Sequence, residues 1–170
     1  MTYYSTTFDS PCGPLLCVVD EAGAVVRIEF CKGHDSRRIV EKMKAAGVEI
    51  VEDASRTAEV RRQLAEYFAG ERREFDLVLA PEGTPFERAV WAELEKIPFG
   101  ETRSYGEIAR ILGRPDSARA VGRANGANPI PIVVPCHRVI GANGSLTGFG
   151  GGLDVKARLL ELEGLALPFG

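Results

Sequence analysis

Hydrophobic positions in the first eighty residues form short strand-like runs separated by two helical stretches. Leu15, Leu16, Cys17, Val18 and Val19, then Val25, Val26, Arg27, Ile28, Glu29 and Phe30, flank a turn at Asp20, Glu21, Ala22 and Gly23. This pattern predicts a β-hairpin over 13–31. In its second arm Val26, Ile28 and Phe30 share one face and Arg27 and Glu29 the other. A charged helical stretch at 36–46 ends on Gly47, and Val48 to Val51 read as a short strand. A stronger helix over 56–69 places Val60, Leu64, Tyr67 and Phe68 on one face, with Gly70 at its end. Phe75, Leu77 and Leu79 alternate with Asp76 and Val78 as one more strand.

After Ala80, Pro81, Glu82 and Gly83, which read as a linker, the pattern becomes mainly helical. Thr84 as N-cap, Pro85 at the first helical position and Glu87 three residues after the cap form a capping box. Phe86, Val90, Trp91, Leu94 and Ile97 make the buried stripe of that helix, which Pro98, Phe99 and Gly100 end. Ser104 and Glu107 form a second capping box, opening a helix through Ile108, Ala109, Ile111 and Leu112. Gly113, Arg114 and Pro115 break it, and Asp116 or Ser117 caps the next, Ala118 to Ala124. Two short helices about a Gly-containing turn form a helix-turn-helix pattern, with an ordinary αα-corner as the alternative, and the small-residue, arginine-punctuated second helix favours the former. Asn128, Pro129, Ile130, Pro131 and Ile132 are too proline-rich for a central strand and form a crossing loop. A final helix, Asp154 to Glu163, packs Val155, Leu159, Leu160 and Leu162.

Apolar residues make up 45% of the 170, enough for a packed core. The polar start of the chain has neither a basic cluster nor an apolar run, so no secretory leader is expected. No stretch approaches membrane-spanning length. Four cysteines, Cys12, Cys17, Cys31 and Cys136, are too few for a disulfide scaffold at this length, which suggests a reducing cytoplasm. Cys12, Cys17, Cys31 and His34 match no structural zinc spacing, and core packing is the expected role of the three thiols. The formal net charge is −3, yet 103–138 carries six arginines against Glu107 and Asp116. That segment is net +4 and contains no lysine, a composition compatible with phosphate binding. Its second helix alternates small residues with arginine, so it can approach a surface closely while Arg119 and Arg123 reach beyond it.

The densest chemistry lies in Val133, Val134, Pro135, Cys136, His137, Arg138, Val139 and Ile140. Pro135 interrupts any ladder and the glycines from Gly141 to Gly144 open a turn, so Cys136 and His137 are expected at the end of a strand, facing a cleft. A thiol attacks carbon as thiolate, and imidazole is the side chain that titrates near neutrality. A buried strand with an inert Cys is the competing reading. Glu163 sits at a helix C-terminus, where the macrodipole disfavours an anion, and so wants a partner such as a histidine. Gly148 to Gly152 enclose one aromatic, Phe149, and form either a surface loop or the lining of a site.

From Thr84, Pro85 and Phe86 to Glu163 and Gly164 the chain resembles the O6-alkylguanine-DNA alkyltransferases (methylated-DNA–protein-cysteine methyltransferases). The resemblance runs through Ser104 and Tyr105, Ala118 to Gly122, Asn128 and Pro129, and Pro135 to Val139. The first eighty residues match more loosely, through Asp9, Ser10, Pro11 and the hairpin. The fold this implies is α+β: a small N-terminal α/β, ribonuclease H-like domain over 1–80, then a mainly helical alkyltransferase domain with a helix-turn-helix over 84–170.

The resemblance also implies roles. Cys136 would take the alkyl group from O6-alkylguanine, and from O4-alkylthymine, once per molecule and without a cofactor. His137 would act on it through a water, oriented by Glu163. Tyr105 would give a proton to the leaving base, and Asn128 would brace the loop below. The partner would be double-stranded DNA containing the lesion, bound by a monomeric protein through the minor groove. Ala118, Ala120, Gly122, Arg123 and Tyr105 would lie against it, with Arg119 replacing the flipped nucleotide. Pro131, Val139, Phe149 and Gly150 would line the base pocket. Phe149 stands where the best-known vertebrate pattern often has Tyr, and Gly150 where a Ser can occur. These departures imply tolerance of alkyl groups larger than methyl. A lesion binder without a nucleophile, a cysteine hydrolase and a plain DNA-binding regulator are the alternative functions.

Overall fold

A computed structural model describes residues 1–31, 36–144, 146, 149 and 151–165. The chain divides into two compact units, Met1–Pro81 and Glu82–Gly170.

The first unit is a four-stranded sheet in the order β3-β2-β1-β4, with β1 Thr2–Phe8, β2 Leu15–Val19, β3 Val25–Phe30 and β4 Glu49–Glu52. The hairpin pairs β2 with β3 antiparallel, Leu15 opposite Phe30, with an irregularity at Val18 and Val19. Its turn is held by the Asp20 carboxylate, which accepts from the amides of Ala22 and Ala24, both at 2.9 Å. β1 runs antiparallel to β2 and parallel to β4. All five residues of β2 are buried, as expected of a central strand covered on both faces. Leu16 and Val18 cluster with Cys31 beneath Ile39, Val40 and Met43 of helix α1, Ser36–Ala45. Cys17 points to the opposite face, where Arg61 of α2, Ala58–Phe68, is near enough to act on its thiol electrostatically. Burial outweighs that cation and pushes the Cys17 thiol up to about 12. Cys12, Cys17 and Cys31 are all buried; His34 lies outside the described residues.

The polar start of the chain, to which the sequence pattern assigns no element, is a strand, β1, its burial set by pairing with β2 and β4. The expected strand over 75–79 is a single bridge, Val25 to Leu79. Only Val78 and Ala80 exchange backbone hydrogen bonds with Val25, and Val78 remains exposed.

The second unit is mainly helical: α3 Pro85–Leu94, α4 Tyr105–Ile111, α5 Ala118–Gly126 and α6 Leu153–Leu162. Both predicted capping boxes form, Thr84 with Glu87 and Ser104 with Glu107. Val90, Trp91 and Leu94 of α3 are buried, and the Trp91 indole N–H donates to the Ala124 carbonyl at 2.8 Å, fastening α3 to α5. Gly83 is required at the entrance to α3, since a Cβ there would stand 2.3 Å from the Trp91 ring. A two-residue parallel sheet joins β5, Arg103–Ser104, to β6, Val139–Ile140. No helix of the described residues is long and apolar enough to cross a membrane.

Candidate active site

The segment leading to Cys136 is a succession of tight turns. Pro129, Pro131 and Pro135 supply no N–H to a ladder, and the chain turns through Val134 N–H to the Ile130 carbonyl at 2.9 Å. Ile132 sits at φ +73, a left-handed conformation costly for a β-branched residue. Its side chain, 1% exposed, anchors that turn in the core. Cys136–Arg138 form a 3₁₀ turn, and only Val139 and Ile140 are extended. The expected strand end at Cys136 is therefore a turn. This removes the alternation that would have sent Cys136 and His137 to opposite faces.

The Cys136 thiol is 5% exposed. Burial pushes it up to about 11, opposed by the Asn128 amide and by the Lys156 ammonium. Asn128 ties the loop together locally: its Nδ2 donates to the Val134 carbonyl at 2.8 Å, and its Oδ1 accepts from the Ile130 N–H at 3.0 Å.

His137 is fully buried, with Nε2 2.6 Å from Glu163 Oε2. Glu163 also accepts from Arg138 Nε at 2.8 Å and Nη2 at 3.1 Å, and from the Gly100 N–H at 3.2 Å. The guanidinium is completed by donation to the Ile97 carbonyl at 2.7 Å. Desolvation lowers the His137 pKa, partly offset by the Glu163 carboxylate, so the imidazole is neutral at pH 7. With Nε2–H directed at the carboxylate, Nδ1 carries the free lone pair, and this atom has no hydrogen-bond partner among the described residues. A neutral imidazole with one nitrogen tethered and the other available is arranged to accept a proton.

Lys156 of α6 is the largest departure from the expected site. It is 0% exposed, and its Nζ donates to the Val139 carbonyl at 2.6 Å. Burial brings its pKa down to about 8, with the nearby Cys136 opposing the shift. The signal was present in the sequence, since Lys156 lies three and four residues before Leu159 and Leu160 on the inward face. Arg138 was similarly visible as a charge inside an apolar run.

The helix pair lies next to this site through the short sheet. Ser104 pairs with Ile140, so Tyr105 begins α4 beside the strand that leaves the cysteine turn. A Cβ on Gly122 would stand 3.8 Å from the Tyr105 ring, which therefore covers that glycine on α5. Arg119 and Arg123 are exposed, while Ala118, Ala120, Gly122 and Tyr105 are half-buried. Pro131 and Val139 are buried and Phe149 half-buried; Gly150 lies outside the described residues.

Residues 3–81 match the family model of the 6-O-methylguanine DNA methyltransferase ribonuclease-like domain, and 85–165 that of its DNA-binding domain. A methylated-DNA–protein-cysteine methyltransferase of Methanosarcina acetivorans is 51% identical over 161 residues, covering 95% of this chain and 98% of the relative. The crystal structure of Mycobacterium tuberculosis O6-methylguanine methyltransferase superposes with a TM-score of 0.83 at 45% identity, covering 95% of this chain and 92% of that one. The structure of that organism's OGT in complex with DNA gives 0.82 at 45% identity, covering 96% and 92%. With both domain models matched and identity running nearly end to end, the chain belongs to the methylated-DNA–protein-cysteine methyltransferases, the O6-alkylguanine-DNA alkyltransferase family.

Proposed function

We propose that this protein repairs DNA by moving the alkyl group of O6-alkylguanine, and of O4-alkylthymine, onto Cys136 in a single irreversible event. The observation that carries this reading is the buried Cys136 thiol beside a neutral His137 whose Nδ1 has no partner among the described residues and whose Nε2 is held by Glu163. The thiol proton passes through a water to Nδ1 while sulfur attacks the alkyl carbon. The S–C bond forms, the C–O6 bond breaks, and the departing base takes a proton from the Tyr105 hydroxyl. Since the thioether is stable and nothing regenerates the thiol, no cofactor or turnover is involved. Incubation of the monomeric protein with an O6-methylguanine duplex should add about 14 mass units to the Cys136 peptide, ending at one equivalent. An unchanged mass at that peptide rules the reading out.

Inside a duplex the target carbon is out of reach, so the nucleotide is flipped from the minor groove into a pocket lined by Pro131, Val139 and Phe149. The small residues Ala118, Ala120 and Gly122 allow α5 to enter the groove, Arg123 meets the backbone, and Arg119 fills the gap in the stack. Arg119→Ala should therefore slow transfer from duplex roughly tenfold or more while leaving transfer from free O6-benzylguanine unchanged. Equal slowing on both substrates would remove Arg119 from the flipping step. Binding to duplex should weaken steeply as salt rises.

A further inference from the structure

Asn125 has no part in the chemistry just described, yet it is 2% exposed and lies in the last turn of α5, against the cysteine turn. Its Nδ2 donates to the backbone carbonyl of Cys136 at 3.3 Å. That carbonyl also accepts the Val139 N–H which closes the 3₁₀ turn. Both of its lone pairs are thus engaged, one by the turn and one by α5. Because a carbonyl accepts, the amide must present its NH₂ to Cys136. This leaves Asn125 Oδ1 buried with no partner among the described residues. A buried oxygen without a donor costs stability, and a leucine of similar volume would avoid that cost. The amide is therefore a poor choice for packing alone and a good one for gripping a carbonyl.

The grip falls at a particular place. The orientation of the Cys136 carbonyl sets the peptide plane between Cys136 and His137, and with it the directions of thiol and imidazole. We propose that Asn125 is a positioning residue, tying the last turn of α5 to the carbonyl of the nucleophile so that the cysteine turn keeps its register with the helix that meets DNA. This rests on the alkyl-transfer reading above and adds to it the connection between the DNA-facing helix and the reacting sulfur.

Two substitutions test it, Asn125→Leu and Asn125→Asp. Transfer is measured from free O6-benzylguanine, which needs no DNA, from about pH 4 to 9, a range that spans the ordinary carboxyl titration, alongside affinity for undamaged duplex. Asn125→Leu should transfer at least tenfold more slowly at every pH and bind duplex within twofold of the parent protein. The Asn125→Asp carboxyl donates to the Cys136 carbonyl while protonated and repels it once ionised. Its deficit should therefore widen as pH rises. Lys156, brought down to about 8 by burial, titrates within this range, and Cys136, His137, Arg138 and Glu163 are the other titratable groups around the turn. For this reason the readout is the ratio of variant to parent at each pH.

Transfer by Asn125→Leu within twofold of the parent overturns the proposal. So does a deficit of Asn125→Asp that is flat across pH, as a purely structural role would give, or a loss confined to duplex affinity. Should Asn125→Leu fail to fold, the pH trend within Asn125→Asp decides alone. If the parent protein takes no alkyl group from either substrate, the alkyl-transfer reading has failed, and labelling of Cys136 by iodoacetamide carries the comparison. Equal labelling of parent and variants then overturns the role of Asn125 as well.

Discussion

Cys136→Ala abolishes the mass gain on exposure to alkylated duplex and leaves affinity for that duplex within about twofold. The loss is complete because the other three cysteines, Cys12, Cys17 and Cys31, are buried in the first unit, and burial pushes Cys17 up to about 12. Affinity survives because the Cys136 side chain is 5% exposed and offers no surface to DNA. Folding should lose on the order of 1 kcal/mol, the cost of a small cavity where a sulfur was packed. The pH dependence of the intact protein follows from the same geometry. With the thiol pushed up to about 11, roughly one molecule in ten thousand carries a thiolate at pH 7. On the proposed reading, attack at neutral pH therefore requires His137 to take the proton during the step. Burial lowers the imidazole pKa, so the base stays available through neutrality and is lost only on acidification below its ordinary range. A transfer rate that falls there, measured by quenched-flow mass analysis, is the expected profile. Retained transfer by Cys136→Ala would mean another nucleophile.

How much of this could be read from the amino acids depended on the range of each signal. The capping boxes at Thr84 and Ser104 span three residues and formed as expected. The hairpin from Leu15 to Phe30 is likewise local, its turn closed by a neighbouring aspartate. β1 escaped notice because its pairing with β2 and β4, not its own composition, determines which residues are buried; Ser5 is 4% exposed there. The stretch through Phe75 alternated like a strand but lacks a continuous ladder. At the site, Glu163 was found from its awkward place at a helix end, which is a local electrostatic argument. Its pairing with His137, which the family resemblance implied, spans 26 residues and no local signal could have specified it. Arg138 and Lys156 carry roles that depend on burial, a tertiary property, although both sit at positions whose apolar neighbours hinted at it. Asn125 gave no hint, because an asparagine near a helix end is ordinary.

Glu163→Gln should cost transfer at least a hundredfold, or about 2.7 kcal/mol of barrier, and should also destabilise the fold by about 3–5 kcal/mol. The two losses have different origins. The carboxylate receives His137 Nε2, two nitrogens of Arg138 and the Gly100 N–H, which fills the acceptor sites of both oxygens. An amide offers one acceptor and places an NH₂ against donors on the other side. The stability loss comes chiefly from Arg138, 5% exposed and left without its counter-charge. The rate loss comes from His137, which loses both the anion that stabilises its protonated form and the acceptor that fixes its tautomer. Combining Glu163→Gln with Arg138→Met separates them. With the stranded cation removed, the double variant should recover part of the stability, an interaction of about 1–3 kcal/mol in the cycle. The recovery is incomplete because the Ile97 carbonyl loses its donor. Transfer should not recover, since nothing has restored the charge behind the imidazole. Chemical unfolding and single-turnover transfer on the same four proteins give both quantities. Recovery of rate together with stability would mean that Glu163 serves only to hold Arg138 in place, and that His137 needs no acid at its back.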